Sequence, residues 1–122
     1  MTDERLLALL EKGLAVQGNL YTVGDILAEI EAGTKQGFVE GDTWAITSIM
    51  RFPRRKVLQV ELIVGTLDDT DVIDKRLEAF AIENGCTLII SEARPGWRYA
   101  VRQRPQWSKW REVRTVWYKD LT

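Results

Sequence analysis

Apolar positions along the chain alternate between helical spacing and a period of two. Leu6, Leu7, Leu9, Leu10 and Leu14 cluster at helical spacing among Asp3, Glu4, Arg5, Glu11 and Lys12, and Gly13 offers a stop, which predicts a short first helix. Thr22 then reads as an N-cap with Asp25 three residues on, as in a capping box. Val23, Ile26, Leu27 and Ile30 recur on one helical face before Gly33, so a second helix is predicted over about residues 22–32.

The period then falls to two. Trp44, Ile46, Ser48 and Met50 alternate with Ala45, Thr47 and Ile49, while Leu58, Val60, Leu62 and Val64 alternate with Val57, Gln59, Glu61 and Ile63, and both runs read as strands. Gly41-Asp42 separates Phe38-Val39 from Trp44, and Pro53-Arg54-Arg55 separates the two longer strands, which predicts a three-stranded antiparallel meander. Its second turn is basic, with Arg51, Arg54, Arg55 and Lys56.

From Leu67 to Asn84 the helical period returns, with Ile73, Leu77, Phe80 and Ala81 on one face and Gly85 at the C′ position. Leu88-Ile89-Ile90 reads as a short buried strand, reached by a right-handed parallel crossover. Pro95 fits the first position of a short helix through about Gln103, Pro105 ends it, and Trp110 to Tyr118 reads as a long final strand. The expected fold class is therefore α/β with a mixed sheet, in one domain over residues 1–122. Residues 1–19 supply the N-terminal helix and its connection, and residues 20–122 the core.

Composition narrows the chemistry. With 122 residues and 45% apolar content the chain suits one globular domain. Its apolar runs are too short to span a bilayer, and Met1-Thr2-Asp3-Glu4 does not resemble a signal peptide, so neither membrane insertion nor secretion is expected. One cysteine, Cys86, and no histidine exclude an internal disulfide, zinc chemistry, histidine-dependent triads and Cys-His proteases, and no metal site is expected. Proton transfer is left to carboxylates, tyrosine, lysine or water. Cys86, after a helix end, reads as a small buried apolar residue.

Charge is divided unevenly. Residues 1–92 hold 9 Lys and Arg against 16 Asp and Glu, whereas residues 93–122 hold 8 against 2. Four of the five tryptophans also fall in the basic segment: Trp97, Trp107, Trp110 and Trp117. Arg94, Arg98 and Arg102, spaced by four, align three guanidinium groups on one stripe, and Arg104, Lys109, Arg111 and Arg114 extend the charge. Arg94, Arg98, Arg102, Arg104 and Arg111 are the candidate partner-binding residues, with an acidic protein face or phosphate as the complementary surface. The tryptophans read chiefly as packing residues.

The order of elements, together with Phe52-Pro53-Arg54, Asn84-Gly85-Cys86 and Arg94-Pro95-Gly96-Trp97, resembles the GNAT N-acetyltransferase fold over about residues 20–120, and most of all its small bacteriophage-encoded members. The resemblance implies an acetyl-CoA pyrophosphate site in a loop of pattern Arg/Gln-x-x-Gly-x-Gly/Ala before the long helix. Val64, Gly65 and Thr66 stand at that place, but they are followed by Leu67-Asp68-Asp69-Thr70-Asp71, with one glycine and three carboxylates. Carboxylates at a helix N-terminus repel an anionic ligand and serve equally as caps. By the same resemblance Glu61 would be the general base and Tyr99 the acid for the departing thiolate, although Glu61, alternating with Gln59, also reads as a solvent-facing carboxylate.

These features lead to the expectation of a phage accessory or virion-associated protein, in the host cytoplasm or virion, that binds a phage structural or host protein and needs no cofactor. An active N-acetyltransferase using acetyl-CoA is the alternative, and a small nucleic-acid-binding module the second. A homo-oligomer would also pair the basic segment with the acidic body.

Overall fold

A computed structural model describes residues 4–66, 69–92 and 97–122. The chain divides into two compact units, residues 1–91 and residues 92–122. The first holds α1 (Glu4–Val16), α2 (Val23–Ala32), β1 (Gln36–Glu40), β2 (Thr43–Arg51), β3 (Lys56–Val64), α3 (Thr70–Glu83) and β4 (Leu88–Ser91). The second holds α4 (Trp97–Arg102) and a single 3-10 turn, Pro105–Trp107.

Gly13 does not stop the first helix. It lies inside α1 where the helix presses on β3: a Cβ there would come within 2.8 Å of Val64 Cγ1 and 3.0 Å of Leu62 Cδ1. Its missing side chain sets the distance between helix and sheet, and the helix ends beyond it, where Asn19 N–H reaches the Leu14 carbonyl. α2 forms as expected. Thr22 Oγ1 accepts from Asp25 N–H while the Asp25 carboxylate accepts from Thr22 N–H, and Thr34 N–H closes the far end on the Glu29 carbonyl.

The sheet has the order β1-β2-β3-β4, with the antiparallel meander in the first three strands and a parallel β3–β4 pair across α3. Gly41-Asp42 makes the first turn and Phe52 to Arg55 the second, closed by Phe52 N–H on the Arg55 carbonyl at 2.9 Å. The alternation along β3 is broken at one point. Ile46 pairs with Leu62 but Thr47 with Val60, so Glu61 is an extra residue without a partner on β2, a β-bulge.

The bulge divides the apolar positions of β3 between two cores. Leu62 and Val64 join Trp44, Ile46, Leu6, Leu10, Leu14 and Ile26 under α1 and α2. Leu58 and Val60 join Phe38, Ala45 and Cys86, with Ile73, Leu77 and Ala81 of α3. The four positions expected to share one face therefore serve opposite faces, and α1 is a full contributor to the core. Cys86 is buried as expected, directly after the end of α3, where its N–H reaches the Ala81 carbonyl at 2.8 Å and Gly85 N–H the Ile82 carbonyl at 3.1 Å.

Three other expectations need correction. α3 begins at Thr70; Leu67 and Asp68 lie outside the described residues, and Asp69, at the N-cap position, makes no side-chain capping bond. β4 is an edge strand among the described residues, with Leu88 36% exposed, because the described sheet ends there. Trp110 to Tyr118 forms no strand: residues 110–122 have no regular structure and pair with no described strand. Alternation alone cannot supply the hydrogen-bonding neighbour that a strand requires. Of the short helix, Trp97–Arg102 is present, and its expected start at Pro95 lies outside the described residues.

Candidate functional site

Glu61 is the residue around which polar chemistry gathers in the first unit. The bulge turns it toward the α1–α2 side, where it does not face solvent as the simple alternation had suggested. Lys35, which follows the end of α2 and is only 6% exposed, places Nζ 2.7 Å from both Glu61 carboxylate oxygens. The same Nζ lies 3.7 Å from Glu29 Oε2 and 4.5 Å from the centre of the Tyr21 ring. Burial disfavours the charge on Lys35, but the hydrogen bonds and charge of Glu61, with Tyr21 and Glu29, outweigh it and hold the Lys35 pKa above the ordinary lysine value. Gln17 Nε2 donates to the Glu61 carbonyl, so side chain and backbone of the bulge are both engaged.

Just beyond Glu61 the sheet opens. Pairing of β3 with β4 runs from Val57 and Leu88 to Val60 and Ser91, and β3 continues through Val64 without β4 beside it. A carboxylate at this divergence is where the expected base would stand, yet its two oxygens are occupied by an ammonium group.

The connection from β3 to α3 is equally constrained. Gly65 has φ +117°, and a Cβ on it would lie 2.0 Å from the Asp42 carbonyl oxygen, so no other residue fits. The Thr66 carbonyl accepts from Thr43 Oγ1 at 2.9 Å, and Thr66 Oγ1 donates to Asp69 Oδ2 at 3.2 Å. That Asp69 carboxylate rests against Gly41, and Asp71 adds a second acid in the first turn of α3. Val64 is buried in the first core. On the α1 side, Gly65 and Thr66 border an open groove of about 840 Å³ with Leu9, Lys12 and Arg5, whose guanidinium pairs with Asp42 at 2.7 Å.

In the second unit, Tyr99 stands exposed on α4. Arg98 is also on the helix surface, but its guanidinium grips Glu112 with two hydrogen bonds of 2.8 and 2.9 Å. Those bonds, with the charge of Glu112, raise the Arg98 pKa, and the same bonds, with the charges of Arg98 and Arg102, lower that of Glu112. Arg102 and Arg111 are exposed, Arg104 lies 5.0 Å over the Trp107 ring, and Arg94 is outside the described residues. Trp107 is buried and packs on Trp97 at 6.0 Å, as expected of packing residues, whereas Trp117 is 89% exposed. Among the described residues no group of three acidic or cysteine side chains could hold a metal ion, and no helix is long and apolar enough to cross a membrane.

Lys35, Gln17, Tyr21 and Glu29 were not marked by the sequence. A lysine between a helix cap and a strand has no distinguishing pattern, and it meets Glu61 only because the bulge redirects that side chain.

No family model and no curated protein matches the chain. Solved structures match along its length. An aminoglycoside N-acetyltransferase, AAC(6')-Iy in complex with CoA, superposes with TM-score 0.60 at 12% identity, over 99% of this chain and 92% of that one. An integron cassette protein from the mobile metagenome of V. cholerae gives TM-score 0.59 at 16% identity, over 97% and 85%. An aminoglycoside acetyltransferase from an uncultured soil metagenomic sample, in complex with sisomicin, gives 0.58 at 10%, over 98% and 88%. With its mixed sheet and the α3 crossover between parallel strands, the chain has the fold of the GNAT acetyltransferases.

Proposed function

We propose that this GNAT-fold protein works by binding a partner and that its acetyl-CoA site is degenerate. The observation that carries the reading is the start of α3, where the Asp69 carboxylate and Asp71 stand at the helix end that an anionic pyrophosphate would occupy. The described residues of this connection do not fit the cofactor: backbone amides there would have to hold a phosphate beside fixed negative charge. The Lys35 clamp on Glu61 supports the same reading. Partner contact falls to the basic second unit, through Arg98, Arg102, Arg104 and Arg111. The resemblance of Phe52-Pro53-Arg54 and Asn84-Gly85-Cys86 to small bacteriophage-encoded members of the fold supports an accessory or virion-associated role in a bacteriophage, in the host cytoplasm or the virion.

Calorimetric titration with acetyl-CoA tests the proposal. No saturable binding is expected at low-millimolar cofactor, and micromolar affinity would overturn the reading.

A second reading, an active N-acetyltransferase, is favoured by the position of Glu61 at the bulge where β3 leaves β4. It requires Lys35 to release the carboxylate. Release of free CoA thiol from acetyl-CoA in the presence of a primary amine, abolished by Glu61→Gln in a folded protein, would establish it.

A further inference from the structure

The turn between β2 and β3 concentrates charge that the first unit does not use. Of the 9 Lys and Arg in residues 1–92, four fall within six positions, Arg51, Arg54, Arg55 and Lys56, with no acid among them. Arg51 and Lys56 are partners in the last rung of the β2–β3 ladder, and like charges directly opposite one another destabilise a ladder. Among the described residues, neither they nor Arg54 has a side-chain hydrogen bond or ion pair, whereas Arg5, Lys35 and Arg76 each meet a carboxylate. Glu83, in the last turn of α3, forms no ion pair with them.

The turn also has a fixed shape and an open aromatic ring. Phe52 N–H closes it on the Arg55 carbonyl, and Pro53 restricts its backbone. Arg55 ties it to the chain entering β4, donating from Nε to the Thr87 hydroxyl at 3.2 Å and from Nη2 to the Thr87 carbonyl at 2.6 Å. Phe52, next to Arg51 in sequence, is 48% exposed. The acidic character of the first unit lies elsewhere. Glu40, Asp42, Asp69 and Asp71 gather at the opposite end of β2. The length of β2, at about 3.3 Å per residue, sets Glu40 and Asp42 roughly 25 Å from the turn, about three Debye lengths at physiological salt.

We propose that this turn is a contact for single-stranded nucleic acid, with Arg51, Arg54 and Lys56 on backbone phosphates and Phe52 stacked on an unpaired base. Guanidinium groups match phosphate oxygens, and an aromatic ring set among cations is the combination that binds unpaired strands without sequence preference. A duplex keeps its base faces stacked on one another, and an acidic protein face engages the cations while leaving the ring unexplained. Phosphates also relieve the opposition of Arg51 and Lys56 that the unliganded ladder has to bear. This surface is separate from Arg98, Arg102, Arg104 and Arg111, and it rests on neither reading of the acetyl-CoA connection.

Fluorescence anisotropy of the full chain with a labelled oligothymidylate of about 15 nucleotides tests the proposal. Binding should saturate at micromolar protein in about 50 mM salt, and the logarithm of affinity should fall against that of salt with a slope of about −2, from three phosphate contacts at about −0.7 each. Arg51→Ser, Arg54→Ser and Lys56→Ser combined should weaken binding at least about tenfold and flatten that slope. Their melting temperature should be no lower than that of the wild type, because the opposed cations are gone. Phe52→Ala should weaken binding at least about fivefold with the slope unchanged, and Phe52→Trp should retain it. No binding at about 100 µM protein, or unchanged affinity in the folded triple variant or in Phe52→Ala, overturns the inference. So does a duplex of the same length bound as tightly, or binding of phosphatidylserine vesicles or polyglutamate in place of the oligonucleotide. Loss of binding on neutralising Arg102 and Arg111, with the triple variant still binding, also overturns it.

Discussion

Lys35 and Glu61 form a two-pronged ion pair, with the lysine buried and the carboxylate partly so, between the end of α2 and the bulge of β3, with Nζ 2.7 Å from each carboxylate oxygen. The pair joins two elements 26 residues apart in sequence and fixes the side chain that the divergence of β3 and β4 would otherwise expose. An ion pair in such a place holds a conformation more effectively than it adds stability, because desolvation offsets most of the attraction.

Removing one partner leaves the other charged and desolvated. Lys35→Met should therefore destabilise the protein by about 2 kcal/mol in denaturant unfolding, between the exposed and the fully buried case, and Glu61→Gln added to it should recover part of that loss. A double variant no more stable than Lys35→Met would show that the carboxylate is not the source of the cost.

The same lysine predicts an alkaline limit. Its folded-state pKa lies above the ordinary value of about 10.5, so its stabilising contribution is complete below that pH and is lost as pH rises through the raised folded value. Unfolding free energies measured from pH 9 upward should fall more steeply for the wild type than for Lys35→Met.

Gly65→Ala should be among the most damaging single-methyl changes. The added side-chain carbon would meet the backbone carbonyl oxygen of Asp42 at 2.0 Å, at φ +117°. A loss of at least about 3 kcal/mol is expected in thermal or chemical unfolding.

Thr22→Val keeps the shape of the N-cap and removes its acceptor for Asp25 N–H. A loss of about 1 kcal/mol is expected, measured by urea unfolding, with the slope of the transition unchanged.

In the second unit, the Glu112 carboxyl should titrate below its ordinary value of about 4.5, because Arg98 hydrogen-bonds the ionised form. Its stabilising contribution is present above that value and is lost as pH falls through the lowered one. Carbon-detected NMR titration should show the Glu112 midpoint rise in Arg98→Gln.

What the sequence made legible were the features carried by local pattern. The capping box at Thr22 and Asp25, the Gly41-Asp42 turn and the meander all depend on neighbours within a few positions, and the structure has them. Gly13 was misread because a glycine in a helical run is consistent with a stop and with a close approach, and only the position of β3 distinguishes them. Glu61 was nominated from the resemblance, but its partner Lys35 comes from another element. The final segment was read as a strand from its composition, which records a preference for pairing without naming the neighbour. Arg98 was placed correctly on the α4 surface, but its bond to Glu112 depends on a chain reversal at Pro105–Trp107 that no periodicity encodes.

The extra residue in β3 makes the length of the strand a structural element in its own right. Deleting Glu61 would restore an unbroken two-residue rhythm along the strand, and by that repair it would turn either Leu58 and Val60 or Leu62 and Val64 away from the helices that cover them. A substitution at this position alters one side chain, whereas its loss re-aims half of the strand. The count of residues between Val60 and Leu62 therefore sets which core each half of β3 serves, whatever residue fills it.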